Sequence, residues 1–180
     1  MTVGLIVNPT AGRGAGRNNH QVILDAFAKL GVEVLDLTSR SKDEAEAKAR
    51  VAIANEKIHA LVVAGGDGMV HLGVNLVTDA KLPLGVIACG TGNDSARALG
   101  LPINDVQWAT QIAADHLSIP RHVDVGAVEN DRGVFYFFGS ISAGFDAHYE
   151  DDMGGLALKE ADYLWLTEAL KQVAKKYAQG

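Results

Sequence analysis

The sequence predicts an α/β fold, a parallel sheet covered by helices, followed by the beginning of a β-rich second region. Three observations predict it. Short, almost wholly apolar runs recur at residues 3–8, 32–37, 60–64 and 84–89, each followed by a helical pattern. Such runs suit strands buried on both faces, because a half-exposed strand would alternate polar and apolar residues. Three of the four lead directly into glycine-rich segments, at 9–17, 65–68 and 90–94.

Taken in order, the strand over 3–8 opens into the loop Asn8-Pro9-Thr10-Ala11-Gly12-Arg13-Gly14-Ala15-Gly16-Arg17. A helix is predicted over 18–30, with Val22, Ile23, Ala26, Phe27 and Leu30 spaced as one helical face and Gly31 as its terminating glycine. The second strand covers 32–37. Ser41 and Glu44 form a capping box that opens a helix over 41–55. The third strand, 60–64, runs into GGDG (65–68) and a helix over 69–77. The fourth, 84–89, runs into GTGND (90–94), a short helix to residue 99 and another over 105–116. The pattern changes near Pro120. Residues 123–129 and 134–141 read as two strands around the turn Asn130-Asp131-Arg132-Gly133. An acidic, glycine-containing loop (150–155) and an amphipathic helix (158–177) complete the chain. The expected division is an α/β nucleotide-binding domain over 1–119, and over 120–180 the start of a β-rich substrate domain plus that helix.

Composition narrows the function. Of 180 residues, 48% are hydrophobic and 21% charged, which suits a packed core. The net charge of −6 argues against nucleic-acid binding, which needs a basic face, and against whole-surface adsorption to anionic membranes. The single cysteine, Cys89, excludes an intramolecular disulfide and reads as a small buried hydrophobe. No apolar run approaches the ~20 residues of a membrane span, and no basic-then-apolar leader opens the chain. A cytoplasmic protein is expected, with peripheral membrane contact and homodimer formation left open. The six histidines lack ligand spacing, so no histidine metal site is expected. Asp151 and Asp152 read as a solvated loop. In the last helix Lys171, Lys175 and Lys176 accompany Trp165, Leu170, Val173 and Tyr177, a face that packs on more protein or lies on a membrane.

The loops carry the chemistry. In a parallel sheet, ligands sit beyond the C-terminal strand ends, where all three glycine segments fall. In GGDG, main-chain N–H groups at a helix N-terminus form a concave anion site. Asp67 would repel a phosphate there unless a cation intervenes, and magnesium is the natural mediator. Alternatively, the segment is a tight turn in which Asp67 caps the following helix. GTGND repeats the arrangement, with Thr91, Asn93 and Asp94 as polar groups. Two such loops on one edge point to a shared phosphate cleft. The first loop, with Asp36 after the second strand, resembles a dinucleotide-binding fingerprint, but Arg17 occupies the place of the third glycine. No Walker A motif is present. Arg13 and Arg17 are phosphate contacts or solvated loop cations.

NPTAGRG, GGDG after a strand, and PLGVIACGTGNDSARALGLP (83–102) together resemble the diacylglycerol kinase catalytic-domain family, which includes bacterial lipid kinases and sphingosine kinases. HVDVG (122–126) is similar to that family's strand into its second domain, and SISAGFD (140–146) to the strand and turn that follow. The resemblance covers essentially the whole chain. GTGND is its most diagnostic part, since NAD kinases and phosphofructokinases share GGDG. It implies an NAD kinase/diacylglycerol kinase-like fold, ATP and Mg2+ as cofactors, and transfer of the ATP γ-phosphate to a lipid hydroxyl such as that of diacylglycerol. The nucleotide contacts it implies are Asn8, Thr10, Gly12, Thr38, Gly65, Gly66, Asp67, Gly68, Met69, Gly90, Thr91 and Asn93. Asp67 would organise the metal and, with Asp124, serve catalysis.

The chain departs from the family pattern in four places. Met69 replaces a threonine, which removes a hydroxyl contact worth ~1 kcal/mol. His71 and Leu72 replace an asparagine and a glutamate, and Ala11 a serine. The general base that the resemblance implies, a glutamate in a later segment, is not among these 180 residues. The chain alone is therefore expected to bind ATP–magnesium weakly and turn over little. Two rival readings stand beside this one. Asp36 and the first loop motivate an NAD(P)-dependent oxidoreductase. Leu72 and the missing base motivate a non-catalytic nucleotide- or lipid-binding protein.

Overall fold

A computed structural model of the chain describes residues 1–11, 16–130 and 133–139. The four apolar runs are strands: β1 (Thr2–Val7), β2 (Glu33–Asp36), β3 (Ala60–Gly65) and β4 (Leu84–Ala88). They form one parallel sheet in the order β2-β1-β3-β4. The chain moves outward from β1 to β2, then crosses back to place β3 on the other side of β1. The strand order thus reverses between β1 and β3, which is where open parallel sheets form a ligand crevice.

Five helices connect and cover the strands: α1 (Gly16–Lys29), α2 (Lys42–Ala54), α3 (Asp67–Val77), α4 (Asp94–Leu99) and α5 (Val106–His116). Ile23 and Phe27 of α1 and Ala109 of α5 pack with Leu5, Val7, Val62 and Ile87 on one face. Ala45 and Ala49 of α2, and Leu72 and Leu76 of α3, pack with Ile6, Leu61 and Val63 on the other. Neighbouring residues such as Leu5 and Ile6 therefore enter different cores, because successive strand side chains point to opposite faces. This is why the runs are apolar throughout. Ser41 caps α2 by accepting the Glu44 N–H at 3.2 Å, one half of the predicted capping box, while the Glu44 carboxylate pairs with Lys48 at 3.0 Å rather than returning to the Ser41 N–H. Asp105 caps α5 by accepting the Trp108 N–H at 3.0 Å.

Two helix starts differ from expectation. Helix α1 begins at Gly16 rather than residue 18. A Cβ on Gly16 would overlap the Asn8 carbonyl oxygen and lie 2.7 Å from the Pro9 carbonyl carbon. Gly16, not position 17, is thus the glycine that lets the helix approach the strand end. Helix α3 begins at Asp67, so the second half of GGDG is already helical.

Beyond α5, β5 (Gly126–Asn130) pairs antiparallel with β6 (Gly133–Phe137). The first strand starts at Gly126 rather than 123 because its partner there, Phe137, is the last residue of β6. The Phe137 ring also covers Gly126: a Cβ there would lie 2.7 Å from its Cε2. Asn75 of α3 holds the hairpin, accepting the Tyr136 N–H at 2.8 Å and donating to the Tyr136 carbonyl at 2.7 Å. The Tyr136 hydroxyl donates to Asp79 Oδ1 at 2.6 Å. The described residues belong to one unit, Met1–Gly139. The strand end at 140–141, SISAGFD, the acidic loop and the helix at 158–177 lie outside the described residues. Among the described residues no helix is long and apolar enough to cross a membrane.

Candidate active site: a crevice at the strand ends

The crevice begins where β1 and β3 end. The Asn8 N–H donates to the Ala64 carbonyl at 2.9 Å, continuing the pairing one residue past β1. Asn8 Oδ1 then accepts from the Thr10 N–H at 3.0 Å and the Thr10 hydroxyl at 2.8 Å, which turns the chain into the first loop. Thr38 flanks the same point, its Oγ1 accepting the Val7 N–H at 3.0 Å. Gly12, Arg13 and the Arg17 side chain lie outside the described part. Between Asn8 and GGDG sits Met69. A Cβ on Gly65 would lie 2.5 Å from Met69 Cγ and 3.3 Å from Asn8 Cβ. Where the family pattern has a hydroxyl, this chain lays a half-buried thioether against the β3 end.

GGDG and GTGND touch. A Cβ on Gly90 would overlap Gly66 Cα and lie 2.7 Å from Gly66 N, so only glycine fits. The Cys89 N–H donates to the Gly65 carbonyl at 3.0 Å. Asn93 closes the second loop. It is 2% exposed and left-handed (φ 61°), and its side-chain amide both accepts from the Gly90 N–H and donates to the Gly90 carbonyl at 2.9 Å. Its amide is therefore committed to the loop's own backbone, while Thr91 stays exposed. Arg97 braces the loop by donating to the Gly92 carbonyl and to Asp94 Oδ1.

Asp67 does not cap the helix it begins. Its carboxylate reaches across to α4, where Oδ2 accepts the Asp94 N–H at 3.2 Å and Oδ1 the Ser95 N–H at 2.8 Å. Burial pushes this carboxyl up. Hydrogen bonds from the Ser95 N–H and hydroxyl, and from the Asp94 and Asn93 N–H groups, outweigh burial and hold it below the ordinary aspartate value. The N-terminus of α3 itself is preceded by Gly66 and has no side-chain cap. In its first turn the Met69 N–H already donates to the Gly66 carbonyl at 2.9 Å, while the Asp67 and Gly68 N–H groups have no partner among the described residues, at the helix end whose dipole favours an anion.

The other expected residues fall elsewhere. Asp124 is exposed in the segment before β5, and no hydrogen bond or ion pair among the described residues involves it. Asp36 lies 2.9 Å from His20 Nε2 and accepts the Thr38 N–H at 3.0 Å. Its Oδ1 is therefore taken by the chain's own backbone, and the strand order is not the 3-2-1-4 of dinucleotide-binding folds. Leu72 is buried between α3 and the sheet at 4% exposure, so the position that carries a family glutamate here serves packing. His71 is half-buried, and burial, reinforced by Lys42, lowers its pKa. Among the described residues no three His, Cys, Asp or Glu side chains cluster as a metal cage. Two residues escaped sequence reading, Asn75 and Gly16. Only a partner 61 residues away distinguishes Asn75 from an ordinary polar helix residue.

Residues 2–128 match the family model described as the diacylglycerol kinase catalytic domain. The chain belongs to this family. A diacylglycerol kinase of Mycobacterium tuberculosis is 31% identical over 150 residues, covering 83% of this chain and 48% of the relative. One from Bacillus subtilis is 33% identical over 126 residues, covering 69% and 41%. A solved structure of a diacylglycerol kinase from Bacillus anthracis superposes with a TM-score of 0.53 at 27% identity, over 71% of this chain and 42% of that one. The chain thus spans about half the length of the curated relatives it matches. Membership of the diacylglycerol kinase catalytic-domain family agrees with the parallel sheet and with the two glycine loops in contact at its edge.

Proposed function

We propose that the chain is the nucleotide-binding part of an ATP-dependent lipid kinase, one that transfers the ATP γ-phosphate to a lipid hydroxyl such as that of diacylglycerol. The observation that carries this reading is the juxtaposition at the strand-order reversal. Gly66 and Gly90 meet backbone to backbone beside the uncapped N-terminus of α3. Phosphoryl transfer depends mainly on positioning and charge stabilisation, which oriented N–H groups and a metal supply.

In this reading Asn8, Thr10 and Thr38 flank the nucleotide on the β1 side, and Gly12 is a further nucleotide contact. Gly65, Gly66, Gly68 and Met69 form its floor, and Gly90, Thr91 and Asn93 the far wall. Asp67 fits a magnesium site, since magnesium uses one or two carboxylates together with substrate phosphates rather than a protein cage. The Asp67 carboxylate is held ionised by its hydrogen bonds and is only half-buried, the charge and the access that a metal needs. Bound magnesium would neutralise charge on the transferring phosphoryl group. Asp124 is proposed as the second acid of the site. A base from the part of the longer relatives that this chain does not span would take the hydroxyl proton. The β5–β6 hairpin is read as the leading edge of a substrate-side region beginning near residue 120. The enzyme is read as cytoplasmic, meeting its lipid at the membrane surface.

Calorimetric titration of the chain with ATP–magnesium and with NADH tests the reading. Binding of ATP in preference to NADH is expected, with little lipid phosphorylation by this chain alone. Preferential NADH binding would remove the kinase assignment, and full turnover would remove the need for an outside base. The buried Leu72 favours a second reading, a non-catalytic nucleotide- or lipid-binding protein. ATP binding without transfer by a full-length relative carrying leucine at this position would support it.

A further inference from the structure

We infer that Asp67 is a positioning residue in its own right: its carboxylate serves as a built-in anion on the N-terminal amides of α4, which fixes GTGND against GGDG and leaves the N-terminus of α3 for the nucleotide phosphates. This rests on the proposed nucleotide crevice and adds to it a role that needs no metal.

The two helices at this edge are treated differently. Helix α4 has no cap of its own, because Asn93, at its N-cap, turns its amide inward onto Gly90. Its exposed donors are met instead from the neighbouring strand end, by a carboxylate 27 and 28 residues earlier in the chain. Gly92 leaves room for this contact: a Cβ there would lie 2.9 Å from Asp67 Oδ2. Helix α3 starts at Asp67 and is preceded by Gly66, with no side chain on its first amides. Carboxylate and phosphate compete for the same donors at helix N-termini. A phosphate at α4 would have to displace Asp67, whereas at α3 no side chain occupies the helix end. Hydrogen bonds to an ionised acceptor are about twice as strong as neutral ones. Each therefore resists parting of the two loops, whose backbones already touch at Gly66 and Gly90.

The two roles of Asp67 make opposite predictions for ATP binding without metal. A carboxylate acting only through magnesium repels bare phosphates, so its removal would tighten metal-free binding. A clamp shapes the crevice whether or not metal is present, so its removal would weaken that binding. The 180-residue chain, Asp67→Asn and Asp67→Ala are titrated with ATP in EDTA and again in excess Mg2+. Asparagine keeps one acceptor but turns an NH2 toward an amide donor. The expected result is a loss of roughly tenfold or more in metal-free ATP affinity for both variants. Unchanged or tighter metal-free binding, with the Mg2+ enhancement gone, overturns the inference. A second arm needs no nucleotide. Amide hydrogen exchange at Asp94 and Ser95 should accelerate by roughly tenfold or more in both variants, while β1 and β3 stay protected. Unaltered exchange at those two amides also overturns it. If alanine loosens the whole sheet, asparagine decides. If the parent chain binds no ATP in either condition, the nucleotide reading fails, and the exchange arm alone judges the clamp.

Discussion

Replacing Gly90 by alanine drives a methyl group into the backbone of Gly66. The new Cβ falls 2.7 Å from Gly66 N, closer still to Gly66 Cα, and 3.0 Å from Asn93 Oδ1. Non-bonded carbon contacts settle at about 3.5–4.0 Å, so the two loops must part by roughly 1 Å. Main chain cannot swing aside as the end of a flexible side chain can. Parting the loops also strains the paired Gly90–Asn93 hydrogen bonds and the reach of Asp67 to α4. Overpacking of this kind costs about 1–3 kcal/mol, and in a chain this long each kcal/mol lowers Tm by roughly 2–4 °C. A thermal melt should therefore fall by several degrees. A displacement of about 1 Å at a site of this kind costs on the order of 10²-fold in turnover. ATP–magnesium affinity, read by calorimetry, should drop with it. A Gly90→Ala chain that melts with the parent and binds ATP–magnesium as tightly would mean that the loops are not in contact, and the crevice as described would be wrong.

Gly68→Ala should separate folding from binding. A Cβ at Gly68 meets nothing within 4 Å, so helix propensity raises stability by up to ~1 kcal/mol, read as a higher melting temperature. The methyl nevertheless projects from the first turn of α3, so nucleotide affinity should fall; unchanged affinity would place the phosphates elsewhere. His71 makes stability pH-dependent. Burial first, and Lys42 second, hold its folded pKa below the ordinary value, so protonation favours the unfolded chain. Its contribution is complete above about pH 6.5 and is lost as pH falls through the lowered folded value. Urea midpoints should decline with acidification in the parent and less steeply in His71→Gln; parallel curves would refute this. Asn75→Ala strips both hydrogen bonds from the Tyr136 backbone, a local cost of about 1–3 kcal/mol. The Tyr136 amide should then exchange faster while β1 and β3 do not, and a still-protected Tyr136 would mean the hairpin is held by other contacts.

What could be read in advance follows from the range of each interaction. The strands were legible because helices cover both faces of the sheet, which makes Leu5 with Ile6, and Val62 with Val63, apolar in unbroken sequence. GGDG and GTGND were legible because each follows a buried strand directly, and the pairing of β3 with β4 then brings their ends together. The partner of Asp67 was not legible. Local rules make an aspartate at a helix start a cap for that helix, yet here it reaches the next one, a contact that exists only once β3 and β4 are neighbours. Gly16 was misread for a related reason. Counting from a fixed motif assigns the close-packing glycine to position 17, whereas the contact depends on where the loop delivers the helix. The departures at Met69 and Leu72 then acquire a common cause. They lie three residues apart, on one face of α3, and both pack into the core shared with α2. In this chain that face is apolar as a unit: Met69 closes over Gly65 and Leu72 is buried beneath it. Restoring the family's glutamate at position 72 alone would bury a carboxylate in the apolar cluster that holds Ile6, Val63 and Leu76. The loss of polarity at the two positions is therefore one packing change, confined to the side of α3 that faces the sheet, and it leaves the amides of the first turn untouched.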